Sequence, residues 1–227
     1  MNAAPTAPYL ACRRACGYRT ALAPVFGGCP DCRARGIQSA LVVRYDYEAL
    51  RSQLDDAFWT VHGESLWHYR PLLPIQDETA IVSLGAGSTP LVPSRRIARQ
   101  LGLPNLLFKN EMCSPTWSHK DRMQTVSASV ARAFGYERMV TISTGNFGAS
   151  LAAHGAAAGL RVLVLCPHDV SPLLLHLIRS YGADVIVSDW GASRLFLPAI
   201  LERGGWFPAL SARDTLPSNP FGIEGAK

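Results

Sequence analysis

Pro115-Thr116-Trp117-Ser118-His119-Lys120-Asp121-Arg122 sets a lysine among residues that open a helix. The chain holds 22 lysines and arginines, yet only Lys109, Lys120 and Lys227 are lysines. Arginine stays protonated, whereas a lysine in a dry, crowded site loses its proton and attacks a carbonyl. In isolation the plainer reading is a lysine in the first turn of an exposed helix, with Ser118 as N-cap and Asp121 near the positive end of the helix dipole.

Downstream of Lys120 the pattern is regular. Residues 122–134 predict a helix stopped by Gly135, 138–143 a strand, and 147–158 a small-residue helix ended by Gly159. Residues 161–166 predict a strand, 172–181 a helix ended by Gly182, 184–188 a strand, 192–203 a helix and 206–210 a fourth strand. Short apolar strands alternating with helices imply an α/β fold with right-handed crossovers and a parallel sheet covered on both faces. Ligands gather at the carboxyl ends of such strands. The loop Ser143-Thr144-Gly145-Asn146-Phe147-Gly148 sits at one of them. As an isolated loop it is an Asn N-cap with glycine-assisted turning. It is also suited to present backbone amides and one side-chain amide to a bound ring or carboxylate.

Upstream, residues 105–110 predict a strand and 94–101 a helix, preceded by the loop Gly85-Ala86-Gly87-Ser88-Thr89-Pro90-Leu91. Glycines beside hydroxyls let backbone amides approach an anion, although a turn before Pro90 explains the loop equally simply. Residues 39–47 predict a strand and 47–58 a short helix. Residues 59–80, with Trp59, Trp67 and Tyr69, predict an arm wrapping the core.

Cys12, Cys16, Cys29 and Cys32 are spaced C-x3-C-x12-C-x2-C. Two cysteine knuckles joined by a hairpin deliver four thiolates to tetrahedral zinc without a large core, and a four-thiolate site has no open position, so the expected role is structural. His62 and His68 lie too far along the chain to be counted as ligands. Cys113 and Cys166 read as ordinary thiols, and His154 and His176 as helix residues without chemical duty.

A chain of 227 residues, 48% hydrophobic and 17% charged, suits a well-buried globular protein. The net charge of +5 comes from arginines scattered singly or in pairs. That excludes a nucleic-acid-tracking strip and is consistent with a small anionic substrate. No apolar run reaches the roughly 18 residues of a membrane span. Met-Asn-Ala-Ala-Pro-Thr-Ala-Pro at the start lacks the features of an export signal. The expectation is a cytoplasmic protein with no membrane partner, whose six cysteines are thiols or metal ligands.

Five blocks taken together, Gly85 to Leu91, Lys109-Asn110-Glu111, Pro115 to Arg122, Ser143-Thr144-Gly145-Asn146, and Asn219-Pro220-Phe221-Gly222-Ile223-Glu224-Gly225-Ala226-Lys227, resemble the fold-type II pyridoxal-phosphate enzymes. Among these they look most like the threonine synthases, some of which carry a similar zinc-ribbon-like N-terminus. The resemblance implies a Schiff base between Lys120 and pyridoxal 5'-phosphate, with Asn146 bonding the cofactor's 3'-hydroxyl. It also implies that Thr89, Ser143, Thr144 and Gly145 cradle substrate carboxylate or phosphate, with Lys109 as a further phosphate contact. The implied reaction converts O-phospho-L-homoserine and water to L-threonine and phosphate, in a homodimer. Related alternatives are a threonine or serine ammonia-lyase and a cysteate-synthase-like enzyme. An alternative from another class is a non-catalytic zinc-ribbon binding module with a degenerate body.

The implied organisation is a ribbon-like segment at 1–37, an arm and first part of the large cofactor domain at 38–121, a small α/β domain at 122–214, and a return toward the large domain at 215–227. The chain departs from the family pattern in two ways. Phe147 stands where small or hydroxyl residues are usual, which alters the expected substrate pocket. The family's glycine-rich cofactor-phosphate loop and the hydroxyl residue facing the pyridine nitrogen have no counterpart in the 227 residues. The chain therefore reads as the N-terminal portion of such an enzyme, expected to bind the cofactor weakly by itself.

Overall fold

The computed structural model describes residues 7–61, 63–210 and 217–227. The expectations for the first six residues, His62 and the domain boundary at 214 lie outside the described residues.

The N-terminal part is a three-stranded antiparallel sheet of order β2-β1-β3, built from β1 (Tyr9–Cys12), β2 (Arg19–Ala21) and β3 (Leu41–Arg44). The strand expected at 39–47 is thus part of the cysteine-bearing unit, with Cys12 opposite Leu41. Helix α1 (Pro30–Arg33) carries Cys32. The single helix expected at 47–58 is two, α2 (Tyr47–Leu50) and α3 (Asp56–Thr60). Asp46 accepts from the Ala49 amide at 3.1 Å and Asp55 from the Phe58 amide at 2.9 Å. Each aspartate caps a fresh helix start, so the chain turns between them. The arm follows, with Leu66, Leu73 and Ile75 buried against the core. A two-stranded antiparallel unit, β4 (Leu91–Pro93) and β5 (Leu107–Lys109), encloses α4 (Arg95–Leu101).

From Lys120 onward the chain alternates α5 (Lys120–Ala133), β6 (Arg138–Ile142), α6 (Asn146–Ala157), β7 (Arg161–Pro167), α7 (Pro172–Ser180), β8 (Asp184–Ser188), α8 (Trp190–Glu202) and β9 (Trp206–Pro208). The strands form one parallel sheet of order β8-β7-β6-β9. Successive side chains on a strand point to opposite faces. Met139, Val162, Val164 and Cys166 accordingly join one core with Leu151 and Ile178, while Val140, Leu163 and Leu165 pack against Leu197 of α8. A Cβ at Gly155 would lie 2.2 Å from Val162 Cγ2, so this glycine is what lets α6 approach β7.

Helix α5 is buried at Asp121 and from Met123 to Ala131. Its hydroxyls are taken up by other segments. Thr125 donates to the Val82 carbonyl at 2.6 Å, Ser129 accepts from the Val82 amide at 2.9 Å, and Ser127 accepts from Asn219 Nδ2 at 3.1 Å. The C-terminal segment Gly222–Ala226 lies along the same helix, where a Cβ at Gly225 would sit 2.0 Å from the Arg122 carbonyl oxygen. No helix among the described residues is long and apolar enough to cross a membrane.

Candidate active site and metal centre

The four N-terminal cysteines converge. Cys12 ends β1, Cys16 lies in the turn before β2, Cys29 precedes α1 and Cys32 lies within it. The three-residue spacing of the first knuckle closes through Ala15, whose φ is 53°, followed by Gly17 at 98°. The Sγ atoms of Cys12 and Cys32 are 3.6 Å apart, those of Cys16 and Cys29 3.5 Å, and all four lie within 4.8 Å of one another. A zinc ion with sulfur at about 2.3 Å spans a tetrahedron with edges of about 3.8 Å, so the residues fit that metal. Burial alone would raise the Cys12 thiol, but hydrogen bonds with Ser39 and the backbone at Cys16 and Arg14 bring it down to about 6. Cys32 is pushed up to about 12 by burial and by the other thiols. Cys29 is pushed up as well, so without a cation Cys12 is the thiol that ionises most readily, and a bound metal ion would be what holds the others as thiolates. No histidine joins the set among the described residues.

Lys120 is the first residue of α5. The preceding residue, His119, occupies the N-cap position expected for Ser118, whose Oγ instead accepts from the Lys120 amide at 3.3 Å. Lys120 Nζ lies 2.8 Å from His119 Nε2. Trp117, three residues before the lysine, has a φ of 59°, a conformation rare for a bulky side chain and concentrated at functional sites.

His119 lines two neighbouring cavities. The larger, about 1120 Å³, is also lined by Trp59, Tyr69, Thr89, Lys109, Glu111 and Arg122. The smaller, about 510 Å³, has Val92, Phe108 and Trp117 as apolar wall, with Ser118, Lys109 and Asn146 as polar groups.

Asn146 is the first residue of α6, exposed at the smaller cavity; Gly145 is the N-cap. The capping is done by Ser143, whose Oγ accepts from the Gly145 amide at 3.1 Å and the Gly148 amide at 2.8 Å. Ser143 is therefore buried and turned into its own loop, Thr144 is exposed, and Gly145 is buried where a Cβ would meet Leu174 Cδ1 at 2.8 Å.

Thr89 and Lys109 come together, but with each other and with a charged pair. Lys109 Nζ donates to the Thr89 carbonyl. Thr89 Oγ1 donates to Glu111 Oε1 at 2.6 Å and accepts from Arg122 Nη2 at 3.0 Å. Arg122 grips Glu111 through Nε–Oε2 at 2.9 Å and Nη2–Oε1 at 2.8 Å. The Arg122 and Thr89 bonds hold the Glu111 carboxyl down at about 2. The sequence reading passed over the Glu111–Arg122 pair and over His119 as a partner of Lys120. Both lie within residues 109–111 and 115–122, where the available signal is one acid facing one base across a strand-to-helix connection.

Lys120 itself lines neither cavity; its amine stands 2.8 Å from the His119 imidazole, which shares the smaller cavity with the Asn146 amide and the apolar side chains of Val92, Phe108 and Trp117, a wall that fits a flat aromatic cofactor.

The model of the pyridoxal-phosphate dependent enzyme family matches residues 82–227. The threonine synthase of Methanocaldococcus jannaschii is 39% identical over 147 residues, 64% of this chain and 36% of that protein. The threonine synthase of Methanosarcina acetivorans is 35% identical over 228 aligned positions, 93% of this chain and 49% of that protein. This chain spans about half or less of the length of the curated relatives it matches. Among solved structures, Escherichia coli diaminopropionate ammonia lyase superimposes with a TM-score of 0.56 over 63% of this chain and 43% of that one, at 17% identity, a likeness of fold. With the family's model covering the region that holds Lys120, the parallel sheet and Asn146, the chain belongs to the pyridoxal-phosphate dependent enzymes.

Proposed function

We propose that this chain forms the lysine-bearing part of a lyase of the threonine synthase type, converting O-phospho-L-homoserine and water to L-threonine and phosphate, with a structural zinc ion at Cys12, Cys16, Cys29 and Cys32. The carrying observation is the 2.8 Å contact of Lys120 Nζ with Nε2 of His119, the histidine that lines both cavities, in a chain whose relatives include threonine synthases.

Bound pyridoxal phosphate supplies the electron sink that stabilises negative charge on the substrate carbon beside its amine. Lys120 is the amine that would hold the cofactor's aldehyde carbon. With its amine free, Lys120 would serve as the base and acid that carries protons among the substrate's α, β and γ carbons. His119 Nε2, 2.8 Å from Lys120 Nζ, would hold the lysine side chain beside the two cavities that the histidine lines. Asn146 would bond the cofactor's 3'-hydroxyl. Thr144, exposed at the positive end of α6, would receive the substrate carboxylate, while Ser143 shapes the loop by taking up the amides of Gly145 and Gly148. Lys109 is the cation for the leaving phosphate, and Thr89 fixes the Glu111–Arg122 pair beside it.

The test supplies the purified chain with pyridoxal phosphate and follows phosphate release from O-phosphohomoserine against 2-oxobutyrate formation from threonine, with borohydride trapping of the cofactor read by mass spectrometry. Trapping on Lys120 that needs a high cofactor concentration and is lost in Lys120→Ala is expected, with phosphate and not 2-oxobutyrate as the product of any turnover. Formation of 2-oxobutyrate without phosphate release would move the assignment to an ammonia-lyase. Absence of both products and of trapping on Lys120 would overturn it.

A further inference from the structure

A carboxylate that the proposed chemistry leaves unused lies one residue past Lys120. Asp121 is fully buried and is ion-paired with no lysine or arginine among the described residues. Burying such a group is costly unless it is hydrogen-bonded, and all three of its close bonds go to two particular places. Oδ2 accepts from the Thr116 amide at 2.7 Å, and Oδ1 accepts from Thr116 Oγ1 at 2.5 Å and from Ser150 Oγ at 2.5 Å. Thr116 belongs to the turn leading into Lys120, and Ser150 lies one helical turn after Asn146 on α6. His154, a further turn along, bonds the Ser150 carbonyl through Nδ1 at 2.9 Å and stays 3.8 Å from Asp121 Oδ1. Burial pushes His154 below its ordinary value, so it stands by as a neutral ring.

Resting on the functional reading above, we propose that Asp121 is a positioning residue: its carboxylate ties the turn before Lys120 to the helix that begins at Asn146, and so sets the amine and the amide against the same bound aromatic aldehyde. An acceptor-only group suits this place. Two hydroxyls and one backbone N–H all donate to it, whereas an asparagine has one acceptor oxygen and would turn its NH2 toward at least one donor.

The chain's three lysines give the test an internal reference. The full chain is incubated with pyridoxal phosphate, trapped with borohydride, and the label on Lys120 is compared with that on Lys109 and Lys227 by mass spectrometry. Asp121→Asn and Thr116→Val are expected to lower the Lys120-to-Lys227 ratio about tenfold, the scale of one lost hydrogen bond to a charged group. Metal content at the cysteine cluster and Lys227 labelling are expected to hold, and Thr116→Ser, which keeps the hydroxyl, is expected to restore the ratio. If Asp121→Asn fails to fold, the Thr116 pair decides. Ratios unchanged in Asp121→Asn and Thr116→Val, or lowered equally by Thr116→Ser and Thr116→Val, would overturn the inference while leaving the functional reading intact. Equal labelling of the three lysines in the unsubstituted chain would overturn the functional reading and the inference with it.

Discussion

Arg122 closes on Glu111 through two hydrogen bonds, at 2.9 and 2.8 Å, across eleven residues of chain. The pair fastens the end of the β5 segment to the first turn of α5, next to Lys120. Glu111 has a folded value of about 2 against an ordinary 4.5, so its contribution to stability is complete above about 4.5 and disappears as the pH falls toward 2. Glu111→Gln is expected to cost about 2 kcal/mol at neutral pH, the scale of a charge-assisted bond with its partner left behind. Thermal melts across this range check it: the substituted chain loses less stability between about pH 4.5 and 2 than the original.

At the cysteine cluster, the expected stoichiometry is one zinc per chain by elemental analysis. Chelation or Cys29→Ser is expected to cost several kcal/mol, because metal binding at a closed thiolate site is also folding energy. The loss concerns β1 to β3, so far-ultraviolet dichroism from the helical part is expected to persist at temperatures where the N-terminal sheet has melted.

Gly155 and Val162 make a packing pair. Gly155→Ala places a methyl 2.2 Å from Val162 Cγ2 and is expected to cost about 1–3 kcal/mol in denaturant unfolding. Combining it with Val162→Ala removes the clash, so the double substitution is expected to be less destabilising than the sum of the singles.

His154 has a folded value depressed below 6.5, chiefly by burial. The unfolded chain therefore holds more protons below that point, and the associated stability is present above about 6.5 and lost as the pH falls, by up to about 1.4 kcal/mol per pH unit. His154→Leu is expected to flatten the difference in melting temperature between about pH 7.5 and 5. An unchanged slope would show that the ring does not carry it.

Much of the α/β part is legible from periodicity. β6, β7 and β8 stand within a residue or two of their expected places because the helix before each is stopped at a glycine of positive φ, Gly135, Gly159 or Gly182, and a short apolar run follows. The convergence of the cysteines follows from their spacing. What periodicity does not carry is side-chain partnership at long range. Thr125 and Ser129 meet Val82 across more than forty residues. Ser150 meets Asp121 across twenty-nine, which makes His154 part of a buried network where its sequence context suggested no duty. The caps shifted for a local reason: Ser118 and Ser143 both bond amides beyond them, but the helices begin at Lys120 and Asn146.

Helix α5 has consequences for how this protein tolerates change. Its outward composition of alanines, valines and hydroxyls resembles any interchangeable core helix, yet Thr125 and Ser129 hold the Val82 segment, Ser127 holds Asn219, and the Arg122 backbone has no room for a side chain at Gly225. In a saturation library, apolar replacements that would pass in an ordinary core should be depleted here at the hydroxyl positions. The helix that begins at Lys120 is thus expected to be the slowest-drifting part of the chain, held as much by its small polar side chains as by its lysine.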